Sequence, residues 1–137
     1  MEMNILKIDY DEFRTLPEVK TELKKRLSYI YDLKLISLKY LRKIETVKKT
    51  NYCVRIYFTK NFKCESDIII LQLLLGSDWM KETNTYLNHF VLNMQYSNRI
   101  FTTKRYKGNK IKTAKIKNIT LNILTYLKSK TRKKNKN

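Results

Sequence analysis

Between Leu16 and Ile30 the apolar residues Leu16, Val19, Leu23, Leu27 and Ile30 recur three and four positions apart. That spacing predicts one buried face of an α-helix. Thr15 is placed to cap it, Pro17 falls in its first turn, and Glu18 completes a T-x-x-E capping box. Lys20, Glu22, Lys24 and Lys25 occupy the opposite, solvated face. Ahead of the helix, Asn4 to Tyr10 predicts a short strand with Ile5, Ile8 and Tyr10 as its apolar members. From Leu33 to Val47 two periodicities compete: Leu33, Ile36, Tyr40, Ile44 and Val47 fit a helix, and Ile36, Leu38, Tyr40 and then Ile44 fit a strand. The next segment favours the strand. Tyr52, Val54, Ile56 and Phe58 alternate with Cys53, Arg55 and Tyr57, and the polar stretch Lys48-Lys49-Thr50-Asn51 reads as the turn of a hairpin.

Glu65 or Ser66 opens a second helix through Ile68 to Leu75, apolar nearly all round and therefore expected to be buried. Gly76 ends it and Ser77 or Asp78 recaps the chain, leading into a stripe of Trp79, Tyr86, Leu87, Phe90, Val91 and Met94. These two helices are the expected centre of the core. Arg99 to Tyr106 and Ile111 to Ile116 flank Lys107-Gly108-Asn109-Lys110, whose Gly-Asn pair is a hairpin signal. A final helix from about Asn118 aligns Ile119, Ile123, Leu124 and Leu127, and Lys128 to Asn137 holds no apolar residue. The expectation is an α+β fold: a single domain over residues 1–127, with an antiparallel sheet of two hairpins packed on a central pair of apolar helices. Residues 128–137 are expected to be a disordered basic tail.

Composition sharpens this picture in one respect, which is charge. The 137 residues include 30 Lys and Arg against 12 Asp and Glu, for a formal net charge of +18. Abundant Lys, Asn, Ile and Tyr with a single Ala point to an AT-rich genome, which favours Lys over Arg. Codon bias does not explain position, however. The last carboxylate is Glu82, and the 55 residues after it carry fourteen Lys and Arg. A surface of one sign repels itself unless a polyanion is at hand, and nucleic acid is the commonest such partner. Neither a membrane-spanning run nor a signal-peptide pattern is present, so a cytoplasmic protein that is not secreted and has no membrane partner is expected. Cys53 and Cys64 fall outside metal or redox spacings. No cofactor-binding pattern stands out, and the chain leans away from an enzyme.

The candidate nucleic-acid contacts are therefore Arg99, Lys104, Arg105, Lys107, Lys110, Lys112, Lys115 and Lys117 of the second hairpin, with Arg132, Lys133 and Lys134 of the tail. A two-stranded ribbon of this kind fits a major groove or crosses a phosphate backbone. The plainer alternative is an edge ribbon whose lysines prevent aggregation. Asp9 and Asp11, two apart on a strand, face the same way and form a weak candidate metal pair, with Glu12, Asp67, Asp78 or Glu82 as further ligands. His89 has no triad spacing, and Asn118-Ile119-Thr120 matches a glycosylation sequon without a secretion signal to support it. Tyr29, Tyr31, Tyr40, Tyr52 and Tyr57 are candidates for base stacking, each with core packing as the competing role.

Part of the chain resembles small proteins of archaeal viruses and plasmids. The resemblance rests on Tyr52-Cys53-Val54-Arg55-Ile56-Tyr57-Phe58, on Leu71-Gln72-Leu73-Leu74-Leu75-Gly76-Ser77-Asp78, on Lys81-Glu82 with Tyr86-Leu87, and on Asn98 to Lys104. A looser likeness is to primase-like replication proteins, in which Asp9 and Asp11 would stand for a paired-carboxylate strand. The strand that carries a histidine in that group reads Tyr52-Cys53-Val54-Arg55 here, without one. The likeness implies a mobile-element protein that handles DNA or RNA. A basic structural subunit of a ribonucleoprotein, such as an organellar ribosomal protein, fits the composition as an alternative.

Overall fold

The computed structural model describes residues 3–10, 13, 15–48, 51–77, 82–83, 86–87 and 115–135, with side chains through Lys130. Among these residues the order is β1 (Ile5–Tyr10), α1 (Leu16–Asp32), a single 3₁₀ turn (Leu38–Tyr40), β2 (Leu41–Lys48), β3 (Tyr52–Phe58), α2 (Glu65–Leu74), β4 (Lys115–Asn118) and α3 (Thr120–Asn135). The strands form one antiparallel sheet in the order β1-β3-β2-β4, which makes the fold α+β.

The register explains the two faces of the sheet. Leu6, Ile8 and Tyr10 of β1 lie beside Ile56, Val54 and Tyr52 of β3, and Ile44 of β2 is level with Ile56. This face packs on the helices. Val19, Leu23, Leu27 and Ile30 of α1 are fully buried against it, joined by Ile68 and Leu71 of α2 and by Ile119, Ile123 and Leu127 at α3. The other face carries Lys7, Asp9, Arg55, Glu45 and Lys43, with Val47 and Cys53 buried as a separate small cluster.

α1 begins as its sequence predicts. The Thr15 hydroxyl accepts from the Glu18 amide and donates to the Glu18 carboxylate at 2.7 Å. Elsewhere the pattern misleads. Leu38 and Tyr40 belong to the 3₁₀ turn, and β2 starts only at Leu41. A register shift between Leu41 and Lys43 then adds one residue to β2. That bulge returns Ile44 to the face of Leu41, so strict alternation fails there. The expected pairing of β2 with β3 is present.

Among the described helices α1 lies between α2 and α3, touching both. α2 is not buried all round, since Ile70 and Leu73 are 54% and 42% exposed. Of the helix expected after Gly76, only residues 82–83 and 86–87 are described. The expected strands from Arg99 to Tyr106 and from Ile111 lie outside the described residues, apart from β4 at Lys115–Asn118, which pairs with β2. α3 continues through Asn135, into the stretch expected as a tail. Lys and Arg are good helix formers, no Gly or Pro interrupts the run, and cations suit the carbonyl end of a helix. Lack of apolar residues ends the buried stripe without ending the helix.

Two helix ends share one motif. At the end of α1, Lys34 donates to the Tyr31 carbonyl and Leu35 to the Ile30 carbonyl; at the end of α2, Gly76 donates to Leu73 and Ser77 to Gln72. Both are Schellman closures, which place one residue in the left-handed region. Gly76 does so at φ 91° and Lys34 at φ 61°. A Cβ on Gly76 would come within 2.8 Å of the Arg26 Nε, and Arg26 also donates to the Leu74 carbonyl at 3.4 Å.

Candidate nucleic-acid interface

Of the basic residues expected to meet phosphate, Lys115 and Lys117 are placed, and both are exposed on β4. They share one face of the strand, level with Lys48 and Thr46 of β2. Arg132, Lys133 and Lys134 lie on the helical backbone of α3. Arg99, Lys104, Arg105, Lys107, Lys110 and Lys112 lie outside the described residues, as does His89. β4 and α3 meet at Thr120, whose hydroxyl accepts from the Ile44 amide at 2.9 Å, while the Asn118 carboxamide accepts from the Thr120 amide at 2.9 Å. Asn118 of the sequon thus serves as a local cap. Further along, Lys130 of α3 reaches α1, bonding the Ser28 hydroxyl and lying 3.8 Å from the Asp32 carboxylate.

The carboxylates divide into several settings. Asp11, Glu12 and Asp78 lie outside the described residues. Asp9 accepts from the Cys53 thiol, its cross-strand neighbour, at 2.9 Å. Asp67 is exposed in the first turn of α2. Glu82 is fully buried and accepts from the Gln72 carboxamide at 2.7 Å and the Ser77 hydroxyl at 3.0 Å. Gln72 and Ser77 in turn accept from the backbone amides of Lys7 at 2.9 Å and Asp9 at 3.1 Å. This network occupies the outer edge of β1, so Glu82 is structural. Among the described residues no group of three His, Cys, Asp or Glu side chains is placed to hold a metal ion.

Glu45 is buried on the outer sheet face and ringed by Lys43 at 3.4 Å, Arg55 at 3.5 Å and the Tyr57 hydroxyl at 2.8 Å. Burial, and next the hydrogen bond to Glu45, raise the Tyr57 phenol above its usual range. The tyrosines also part company. Tyr52 is buried in the core and Tyr57 is tied to Glu45, whereas Tyr29 is 57% exposed. Tyr31 and Tyr40 are half-buried beside one groove, together with Phe62 and the exposed Lys34, Lys60 and Lys63. Sequence periodicity passes over these lysines, because they sit in two connections that are far apart in the chain. The available signal is the pairing of cation and aromatic within each connection, at Lys39-Tyr40 and at Phe62-Lys63.

No helix among the described residues is long and apolar enough to cross a membrane. Compared with protein-family models, curated proteins and solved structures, the chain matches none.

Proposed function

We propose that this is a non-enzymatic nucleic-acid-binding protein of a virus, plasmid or other mobile element. Phosphates are contacted through Arg99, Lys104, Arg105, Lys107, Lys110, Lys112, Lys115 and Lys117, and through Arg132, Lys133 and Lys134. The observation that carries the reading is the charge boundary at Glu82. Fourteen cations and no carboxylate follow it, and Glu82 itself is buried. Lys115 and Lys117 extend that basic segment onto an exposed strand, which supports the same reading. The partial likeness to proteins of archaeal viruses and plasmids accounts for the proposed origin.

The test is a salt titration of binding to DNA and to RNA. Log affinity should fall linearly with log salt, by about 0.9 per duplex phosphate contacted and about 0.7 per single-strand phosphate. Replacing Lys104, Arg105, Lys107 and Lys110 by Ser should flatten the duplex slope by roughly 3 to 4. Unchanged affinity in that variant at physiological salt would end the proposal. Binding only to an assembled ribonucleoprotein, with none to free polynucleotide, would favour the structural-subunit alternative. Divalent-ion-dependent cleavage that Asp9→Ala abolishes without loss of binding would favour a nuclease-like or primase-like protein.

A further inference from the structure

One end of the molecule is closed by residues 33–40, which link α1 to β2, and by residues 59–64, which link β3 to α2. Backbone hydrogen bonds hold this end together: the Thr59 amide donates to the Tyr40 carbonyl at 2.7 Å and the Phe62 amide to the Met3 carbonyl at 2.8 Å. Between the two connections runs a groove of about 860 Å³, within the size range of small-ligand sites. Tyr31, Tyr40 and Phe62 give it aromatic walls, and Lys34, Lys60 and Lys63 stand exposed along it. The Lys60 ammonium already lies 5.2 Å from the centre of the Tyr40 ring. Asp32 and Asp67 also border the groove, and the Asp32 charge is opposed by Lys130 at 3.8 Å.

Lys34 supplies an independent observation. It holds φ 61° in the closure where α2 uses Gly76, so the chain places a long cation in a conformation that disfavours any side chain. A backbone outlier kept at the rim of a groove points to a role for the side chain it carries. Aromatic surfaces interleaved with cations are the arrangement that accommodates bases on rings and phosphates on ammonium groups.

We propose that this groove receives unpaired bases of a single-stranded nucleic acid, stacked on Tyr31, Tyr40 and Phe62 with the flanking phosphates on Lys34, Lys60 and Lys63. The proposal rests on the nucleic-acid-binding reading above and adds a strand preference to it, because a duplex keeps its bases from the rings.

The experiment uses the full chain and fluorescence anisotropy, with a labelled short oligothymidylate and a labelled duplex of equal length. Lys34→Ser/Lys60→Ser/Lys63→Ser should weaken single-strand binding about tenfold or more and flatten its salt slope by about 2. Tyr40→Leu should cost about tenfold on the single strand. Both should leave duplex affinity within about twofold. The lysine variant, altered only at exposed side chains, serves as the arm that keeps the fold if Tyr40→Leu does not. Undiminished single-strand binding in the lysine variant overturns the groove and leaves the general reading standing. Equal losses on both ligands overturn it too, by showing only nonspecific charge. Polyglutamate bound as tightly as oligothymidylate, and weakened equally by the lysine variant, assigns the groove to acidic peptides instead. A wild-type chain that binds neither polynucleotide at low salt removes the general reading, and the groove proposal with it.

Discussion

Lys34 and Gly76 solve one stereochemical problem with opposite residues. Left-handed backbone costs an L-residue roughly 1–2 kcal/mol, and glycine avoids this while giving back part of it in chain entropy. Lys34→Gly is therefore expected to stabilise the fold by about 0.5–1 kcal/mol in urea unfolding. Gly76→Ala should do the reverse by about 2 kcal/mol or more, since its Cβ meets both the backbone penalty and Arg26. An unchanged denaturation midpoint in either variant would refute the account. Tyr10 offers a second case. Its hydroxyl is buried and donates to the Leu75 carbonyl at 2.6 Å, and burial pushes its ionisation well above the ordinary phenol range. The unfolded chain then loses the Tyr10 proton near pH 10 while the folded chain keeps it, so stability is complete below pH about 10 and declines as pH rises further. Tyr57 shifts the same way. Tyr10→Phe should cost about 1–2 kcal/mol near neutrality, from the unsatisfied carbonyl, and make the alkaline decline shallower than in wild type. Equal slopes above pH 10 in the two proteins would contradict this assignment.

At the scale of elements, β1 depends on side chains from beyond the sheet. Lys7 and Asp9 donate their outward amides to Gln72 and Ser77, and both of these hold Glu82. Gln72→Leu removes an acceptor from Lys7 and a donor from a buried carboxylate, and is expected to cost about 3–5 kcal/mol. Hydrogen exchange at the Lys7 and Asp9 amides should accelerate in that variant ahead of exchange in β3; unchanged protection at Lys7 would refute the edge role. How far this arrangement is visible in the chain depends on the element. α1 announces itself, because cap, proline and apolar stripe agree over one contiguous stretch. β3 does so by plain alternation. The start of β2 is obscured, since a 3₁₀ turn imitates a strand at Leu38 and Tyr40 and a bulge then breaks the period. The length of α3 is obscured because helix persistence needs no apolar residue once the buried stripe has docked. The Gln72–Glu82 network and the groove are long-range coincidences between loops or edges, which no local period encodes.

For the molecule as a whole, +18 on 137 residues sets a self-repulsion that counterions should relieve. Raising salt from low to physiological concentration should lift the melting temperature by a few degrees, about what 1 kcal/mol gives a domain of this size. A short oligonucleotide at a hundredfold excess over its Kd should add roughly 2.7 kcal/mol. A melting temperature indifferent to both would show that the charges are too dispersed to act together. Charge at the end of the chain is best removed by substitution, because shortening it to Leu127 also deletes the Lys130 link from α3 to Ser28 and Asp32 of α1.

The seal along β1 has a consequence for assembly. A bare strand margin invites a visiting peptide or a second copy to extend the sheet, but here Gln72 and Ser77 already fill that role with side chains. Growth of the sheet from that flank would first have to evict a buried carboxylate from its hydrogen bonds, which disfavours strand addition there.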